Sequence, residues 1–340
     1  MHNPDFFTLE INENAIKVID GKISSNEIEI NKISFLNNLP LSIFNQDTLD
    51  TYKKFSDIIK KLVYDLKINK KKVNIIIPDT YTYSQILKMP LLNEKELISA
   101  IKYQADHFIP LPIEDINIDL EIIHQNEKEK TLLVLVAAVS KKLAQKIEEV
   151  LEFTGLIPIF LENQVSAFNR FINKFSFFIS NNYSSKIFFI NLGQSSTSLY
   201  FFDKNNSIIS KIHNFNLGYS LFLKELQINT SFDDKKNYDI LKNFDLKNKG
   251  NIDVETIINP ITKQFIFEIK KMITPPATGL FIGDIIQFPA LIEILIKNID
   301  IPIFFSVLNP PYSLFKKNSQ IENYKEKLPF FLTTLGGEIE

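Results

Sequence analysis

The residues with the clearest chemical potential form a short polar turn between two apolar stretches. Residues 186–202 read Lys-Ile-Phe-Phe-Ile-Asn-Leu-Gly-Gln-Ser-Ser-Thr-Ser-Leu-Tyr-Phe-Phe, a pattern that predicts a β-hairpin. The polar residues of its turn are Gly193, Gln194, Ser195, Ser196 and Thr197. Because glycine has no Cβ, a phosphate could approach the backbone N–H groups of this turn closely. Taken alone, such a sequence is more often an ordinary hairpin turn.

A second copy of the pattern near the N-terminus favours phosphate binding. Residues 9–20 align with residues 190–198, and three pairs of positions correspond: Glu10 with Asn191, Asn12 with Gly193, and Ala15 with Ser196. Asp20-Gly21 then predicts a tight turn into the next strand. Two similar hairpins far apart in one chain indicate a duplicated domain with a cleft between its halves.

The elements that position the first turn follow from the spacing of apolar residues. The predicted strands and helix are Phe6–Ile11, Ala15–Ile19, Glu27–Phe35, the helix Thr48–Leu66 and the strand Val73–Ile77. Residues 84–157 then break the pattern. Here we predict a helix that begins at an Asn93/Glu96 cap and stops at Ile109-Pro-Leu-Pro112, two strands (Ile116–Ile123, Thr131–Val139), and a helix from Lys141 to Phe153 ended by Gly155.

Composition excludes several classes of protein. The 340 residues imply more than one domain, and a net charge of −2 provides no basic field for nucleic acid. The absence of cysteine excludes thiolate chemistry, and the four histidines form no spaced metal-binding cluster. No apolar stretch reaches the roughly 18 residues of a membrane helix, and the N-terminus lacks the pattern of a signal peptide. We therefore expect a cytoplasmic protein that reaches the membrane only through a partner.

The insert carries a more specific resemblance. Ala100-Ile-Lys-Tyr-Gln-Ala-Asp-His-Phe-Ile-Pro-Leu-Pro-Ile-Glu114, Leu132-Leu-Val-Leu-Val-Ala-Ala138 and Gly155-Leu-Ile-Pro158 together resemble the PilM family of type IV pilus assembly proteins, which are relatives of the cell-division protein FtsA. The resemblance covers nearly the whole chain. It implies an α/β, actin-like (ribonuclease H-like) duplicated two-lobed fold with an inserted α+β subdomain. The implied divisions are 1–83 with 156–180, the insert 84–157, and 181–340.

The same resemblance implies an ATP site in the cleft. The phosphates would lie between the two turns, and the residues of the first turn are Asn12, Glu13, Asn14 and Lys17. The family pattern places the rest of the nucleotide against five further positions, which here are Gly218, Asp239, Lys242, Gly283 and Asp284. Several positions depart from the pattern. Tyr219 replaces a second glycine, and Glu13 puts a carboxylate where a phosphate would lie.

Magnesium binding is the weakest part of the implied site. The superfold uses an acidic residue at the start of each phosphate loop, and here these positions are Glu10 and Asn191. Because an amide is a poorer magnesium ligand than a carboxylate, we expect a partly degenerate cleft that does not hydrolyse ATP. The sequence leaves open whether ATP binds, with or without Mg²⁺, or whether the cleft is a relic. Lys17 is equally a phosphate counter-charge or a solvent-facing lysine.

The resemblance also implies a partner, since in PilM-like proteins the insert takes up the short cytoplasmic tail of the membrane protein PilN. The apolar residues and the Pro-x-Pro step of the insert suit an extended apolar peptide, although these residues could equally pack within the domain. The predicted contact residues are Ile101, Phe108, Ile109, Leu111 and Leu120. Other pilus assembly proteins are implied partners, and self-association stays open. The alternative functions are an active actin-like ATPase, a sugar-kinase-like phosphotransferase, or an FtsA-like division protein.

Overall fold

The computed structural model describes residues 5–24, 27–105, 108–183, 186–246, 252–299 and 302–339. Their strands form two five-stranded sheets and one three-stranded sheet. In each five-stranded sheet an antiparallel three-strand meander is extended by two parallel strands, so the two sheets repeat one topology. This repetition confirms the predicted duplicated two-lobed α/β fold.

The first sheet has the order β3-β2-β1-β4-β8. Its elements up to β4 are β1 (Phe6–Ile11), β2 (Ala15–Ile23), β3 (Ile28–Asn37), α1 (Leu49–Asp65) and β4 (Lys72–Ile77). The prediction of a turn at Asp20-Gly21 was wrong, because both residues lie within β2 at an irregularity in its pairing with β3. A Cβ on Gly21 would lie 2.7 Å from the carbonyl oxygen of Glu29, so the glycine permits a close strand approach instead.

The insert contains a three-stranded sheet with the order β5-β7-β6, here called the insert sheet. The elements of this region are β5 (Thr82–Pro90), α2 (Glu94–Ala105), β6 (Ile116–Asn126), β7 (Thr131–Ser140) and α3 (Lys141–Thr154). Strand β5 was not predicted. The described part of α2 ends at Ala105, and residues 106 and 107 lie outside the described residues. Helix α3 buries its apolar face mainly against α1 and the first sheet.

The chain returns to the first sheet and then builds the second, whose order is β11-β10-β9-β12-β13. The elements are β8 (Ile157–Asn163), α4 (Gln164–Phe175), α5 (Phe177–Asn182), β9 (Lys186–Leu192), β10 (Thr197–Asp203), β11 (Ile208–Phe215), α6 (Tyr219–Thr230), α7 (Asp234–Asn243), α8 (Val254–Met272), β12 (Ala277–Ile282), α9 (Pro289–Lys297), β13 (Ile303–Val307), α10 (Ser319–Tyr324) and α11 (Leu332–Gly337). Helix α7 contains Asp239 and Lys242, two of the residues that the family pattern places beside the nucleotide.

One apolar core joins the two larger sheets. It contains side chains of both sheets together with Phe168 and Phe171 of α4 and Leu332 and Leu335 of α11. Helix α11 approaches its neighbours so closely that a Cβ on Gly336 would lie 1.8 Å from the carbonyl oxygen of Ala167. Helices α4 and α11 are therefore fixed between the sheets, and their polar residues face the cleft that the two hairpins form.

Candidate functional site

The turn between β1 and β2 meets the turn between β9 and β10. The Glu13 carboxylate of the first turn accepts a hydrogen bond from the backbone N–H of Ser195 (3.2 Å) and another from the Ser195 hydroxyl. The Tyr81 hydroxyl donates to the same carboxylate at 2.8 Å, and burial raises the pKa of Glu13. The position where we expected a phosphate is thus occupied by a carboxylate of the chain itself.

A buried ionic cluster lies directly behind the turns. The Lys17 ammonium, which is 0% exposed, lies 3.0 Å from Glu10 Oε1 and 2.9 Å from Asp284 Oδ1. It also lies 4.1 Å from the centre of the Phe330 ring. Asn12 Nδ2 donates to Asp284 at 3.0 Å. Lys17 is therefore neither a solvent-facing lysine nor free to meet a phosphate, because it already balances two carboxylates.

The ordinary ionisation states of Glu10 and Lys17 are maintained by this pairing. Burial acts against the charged form of Glu10, but Lys17 and two hydroxyl donors together lower its pKa. These donors are Thr333 and Thr334 of α11, each 2.6 Å from Glu10 Oε2. Burial likewise opposes the Lys17 ammonium, yet Asp284 and Glu10 raise its pKa. Glu10, which we predicted to hold magnesium, is thus saturated by partners from three parts of the chain.

A second set of buried polar residues connects the two hairpins through α4. The Gln164 amide donates to Glu10 at 2.9 Å and accepts from Asn191 Nδ2 at 2.8 Å. Asn191 also donates to the Tyr200 hydroxyl at 3.1 Å, and that hydroxyl donates to Asp79. Asn191, the second predicted magnesium position, therefore uses both amide hydrogens within the protein.

The charge of the cleft opposes an anionic ligand. Among the described residues, the ammonium of Lys17 is the one cation placed within this group, and the carboxylates around the cleft are Glu10, Glu13, Asp79 and Asp284. Burial raises the pKa of both Asp79 and Asp284, which indicates that their negative charge is incompletely compensated. Within the described residues, no group of three or more histidine and carboxylate side chains is arranged to hold a metal ion.

Helix α6 begins against the second turn and leaves no room for a phosphate between them. The backbone N–H of Tyr219 donates to the Gly193 carbonyl (2.9 Å), and that of Ser220 donates to the Gln194 carbonyl (3.0 Å). A Cβ on Gly218 would lie 2.0 Å from the Gln194 carbonyl oxygen. The N–H groups that could bind an anion at this helix N-terminus are consequently used by the turn.

Aromatic rings fill the side of the cleft where we expected adenosine. Tyr219 and Tyr238 both pack on Phe288, with ring centres 5.0 and 5.3 Å from it, and all three side chains are buried. Gly283 has a φ of +73°, and a Cβ there would lie 2.3 Å from Asn191 Oδ1. Gly283 is therefore needed for contact with the second hairpin rather than for space around a base.

The remaining cleft volume is about 10 Å³. Pockets that hold small ligands usually measure roughly 300–1,000 Å³, so the cleft is closed to a nucleotide in this arrangement. The predicted nucleotide-binding residues that line this space are Asn12, Glu13, Gly193, Gln194, Ser196 and Asp284, whereas Thr197, Asp239 and Lys242 do not line it. Thr197 is buried with its hydroxyl on the Leu217 carbonyl (2.6 Å), Asp239 is exposed, and Lys242 is only partly buried on α7.

Several residues of the site were not predicted. Asp79 follows the buried parallel strand β4, which is a position where functional groups collect in α/β sheets, so its placement could have been found. Thr333 and Thr334 interrupt an apolar C-terminal stretch, which is a weaker signal. Gln164 and Tyr200 carried no signal, because their role depends on contacts between distant segments.

A much larger cavity of about 450 Å³ lies between the insert sheet and the first sheet. Its walls include residues 117–121 of β6 and residues 160–163 of β8, together with Arg170 of α4 and Ile339. Residues 137–139 of the central strand β7 also line the cavity, so part of its wall is a face of the insert sheet. Strands β6 and β8 are edge strands of their sheets. We call this space the β6–β8 cavity.

The residues predicted to bind a partner peptide lie in different places, and only some of them are accessible. Leu120 lines the β6–β8 cavity. Ile101 and Ile109 are only 1% and 4% exposed and pack inside the insert, so neither is available to a peptide. Phe108 and Leu111 are half-buried against the same apolar clusters. The apolar surface of α2 thus packs within the insert, as the alternative interpretation of the sequence allowed.

Comparison with known proteins gives a family and a fold. A family described as type IV pilus assembly protein PilM matches residues 8–270. A solved PilM-PilN type IV pilus biogenesis complex is 17% identical over 99% of this chain and 98% of that chain, with a TM-score of 0.79. The ethanolamine utilization protein EutJ from Carboxydothermus hydrogenoformans is 11% identical over 98% of this chain and 88% of that chain, with a TM-score of 0.55. No curated protein sequence matches significantly.

Proposed function

Because the chain belongs to the PilM family of type IV pilus assembly proteins, we propose that it is a non-catalytic scaffold that binds the tail of a PilN-like membrane protein. The observation that carries this proposal is the contrast between the two spaces. The cleft between the hairpins is filled, whereas the β6–β8 cavity is open and of ligand size. The cavity is therefore the place where a ligand would bind.

The form of the β6–β8 cavity suits an extended peptide. Edge strands have backbone N–H and C=O groups that are free to pair with an added strand, and alternate side chains of such a peptide then enter pockets. Ile118 and Leu120 of β6 and Phe160 of β8 provide apolar contacts, and Phe160 is 61% exposed. A peptide that covered Phe160 would remove this apolar ring from water.

Strand β6 is the better edge for an added strand. Residues 117–121 pair regularly with β7 and contain no proline. Strand β8 carries Pro158, which lacks an N–H, and its pairing with β4 is irregular between Pro158 and Phe160. Proline and bulges at an edge discourage strand pairing. We place the peptide backbone on β6 and its apolar side chains toward β8.

The degenerate cleft supports a structural rather than a catalytic role. An ATPase or a phosphotransferase on this fold would need space for the phosphates and carboxylates free to hold magnesium. Here Glu13 occupies the first turn's side of that space, and Glu10 is bonded to Lys17 and two threonines. ATP would have to displace Glu13 and the aromatic cluster together. We infer that the chain does not hydrolyse ATP.

We place the protein in the cytoplasm, at the inner face of the cytoplasmic membrane, with attachment through its partner. None of the helices in the described part of the chain combines the length and apolar content that crossing a membrane requires. A tail bound in the β6–β8 cavity would supply the attachment.

The test is binding of a fluorescently labelled synthetic tail of the PilN-like protein from the same organism, measured by anisotropy. Phe160→Glu should weaken binding at least tenfold, because it places a charge against the apolar part of the peptide. Phe304→Glu is the matched control, since Phe304 is also 61% exposed and lies on β13, the corresponding edge strand of the second sheet. Absence of binding by the parent, or equal affinities for both variants, would refute the assignment.

A further inference from the structure

The walls around the β6–β8 cavity are strongly acidic. A second cavity of about 580 Å³ shares Asn117 with it and lies along α3. The charged residues lining the two spaces are Asp119, Glu121, Glu162 and Arg170 in the first, and Lys141, Glu148, Glu149 and Glu152 in the second. Six carboxylates therefore face two cationic groups, whereas the whole chain has a net charge of only −2.

The two cationic groups already have partners within the protein. Arg170 lies 2.6 Å from Glu162 Oε2 and donates to the Ile339 carbonyl at 3.1 Å. The Lys141 ammonium donates to the Glu114 carbonyl at 2.5 Å. The walls consequently present more hydrogen-bond acceptors and negative charge to a ligand than donors and positive charge.

A buried acceptor in the cavity wall supports the same conclusion. Asn74 is 1% exposed and lines the β6–β8 cavity, and its Nδ2 donates to the Gly337 carbonyl at 2.9 Å. Its Oδ1 has no hydrogen-bond partner among the described residues. Burial also raises the pKa of Glu121, which shows that nearby positive charge does not fully stabilise its carboxylate. A ligand rich in donors would complete both groups.

We propose that the bound segment consists of an extended apolar stretch in the β6–β8 cavity followed by lysine or arginine residues that face Glu148, Glu149 and Glu152 of α3. This inference rests on the proposed function, and it specifies the chemistry of the partner. The cytoplasmic segments of membrane proteins next to their spans carry an excess of lysine and arginine. The acidic face of α3 is therefore complementary to such a segment and would fix the direction of the peptide on β6.

The energetic contribution of this face is electrostatic and largely solvent-exposed. Individual exposed ion pairs contribute little to affinity, but three pairs on one face together raise affinity measurably and accelerate association. Added salt weakens this contribution. The apolar part of the peptide is insensitive to salt by comparison. The salt dependence of binding thus separates the two halves of the proposed interface.

The experiment uses the full chain, the synthetic tail of the PilN-like protein, and a second peptide in which every lysine and arginine is replaced by glutamine. Variant one carries Glu148→Gln, Glu149→Gln and Glu152→Gln. The matched control carries Glu225→Gln, Asp234→Asn and Glu326→Gln, which changes the net charge equally but lies outside both cavities. We expect variant one to bind the native tail about tenfold more weakly than the control does.

The outcomes separate the two proposals. The neutral peptide should bind the parent and variant one equally, and the salt dependence of native-tail binding should be reduced in variant one. If the parent binds the native tail but variant one and the control have the same affinity, the acidic-face proposal is refuted while the cavity assignment stands. If the parent does not bind the native tail at all, both proposals are refuted.

Discussion

Replacement of Lys17 by methionine tests whether the buried ionic cluster holds the cleft closed. The lysine ammonium lies 3.0 Å from Glu10 and 2.9 Å from Asp284. Methionine keeps much of the apolar stem but leaves both carboxylates buried without their cation. Removing one partner of a buried ion pair costs about 3–5 kcal/mol, because the remaining charge is still kept from water.

The expected loss is large enough to measure by calorimetry. For a chain of 340 residues, about 3–5 kcal/mol corresponds to a decrease of the melting temperature by roughly 4–7 °C. Lys54→Met is the control, because Lys54 lies 2.7 Å from Asp50 but is 63% exposed. Loss of that exposed pair should change stability by about 0–1 kcal/mol.

The pH dependence of Lys17→Met gives a second readout. Without the ammonium, burial should raise the pKa of Glu10 above its unfolded value and should raise further the pKa of Asp284, which burial already raises in the parent. The folded state then binds more protons than the unfolded state, so stability increases on acidification and decreases as pH rises. The difference in melting temperature between the parent and Lys17→Met should therefore be smaller at about pH 6 than at about pH 8. A melting temperature within about 2 °C of the parent, or a gap that does not change with pH, would refute the role of Lys17.

Three further predictions follow from the same region and its surroundings. Gly283→Ala should lower the free energy of unfolding in urea by about 2–4 kcal/mol, since φ is +73° and the new Cβ would lie 2.3 Å from Asn191. Gly155→Ala is the control, because Gly155 has a similar φ of +75° but no atom within 4 Å of the new Cβ, and it should cost only about 1 kcal/mol. Equal costs would contradict the Asn191 contact. Burial raises the pKa of Glu338 to about 8, so the parent should lose about 1.4 kcal/mol per pH unit between roughly pH 5 and pH 8 relative to Glu338→Gln, and parallel profiles would exclude this. Phosphate release from Mg-ATP should not exceed background, and magnesium-dependent release that Gly193→Trp abolishes would show a working ATPase.

Short-range signals in the sequence predicted many of the elements correctly. The Asn93/Glu96 cap forms as expected, with each side chain accepting from the backbone N–H of the other residue at 3.1 Å. Gly155 ends α3 in the left-handed conformation, and the hairpin from β9 to β10 has its turn where the polar residues indicated. These features depend on residues a few positions apart, so the sequence alone contains the information that determines them.

Features that depend on distant segments were not predictable in the same way. Asp20-Gly21 has the composition of a turn, but Gly21 lies within β2 and its N–H donates to Glu338 Oε2 at 3.1 Å. Strand β8 contains Pro158 near its start and was not predicted, because it is a strand through its pairing with β4. The Asn93/Glu96 cap and the Pro-x-Pro step identified α2, but they could not show that Ile101 and Ile109 pack inward.

The departures from the family pattern have one feature in common, which is that each adds a contact that closes the cleft. Glu13 would repel a phosphate, and here it meets the N–H of Ser195 instead. Asn191 is a poor magnesium ligand, and its neutral amide is what allows it to donate to Gln164 and Tyr200. Tyr219, in place of glycine, packs against Phe288 on the side of the cleft where we expected the base. Each substitution would weaken a nucleotide site, and each supplies a contact that closes the cleft without a nucleotide. The two sheets are thus joined across the cleft by the side chains of the protein itself.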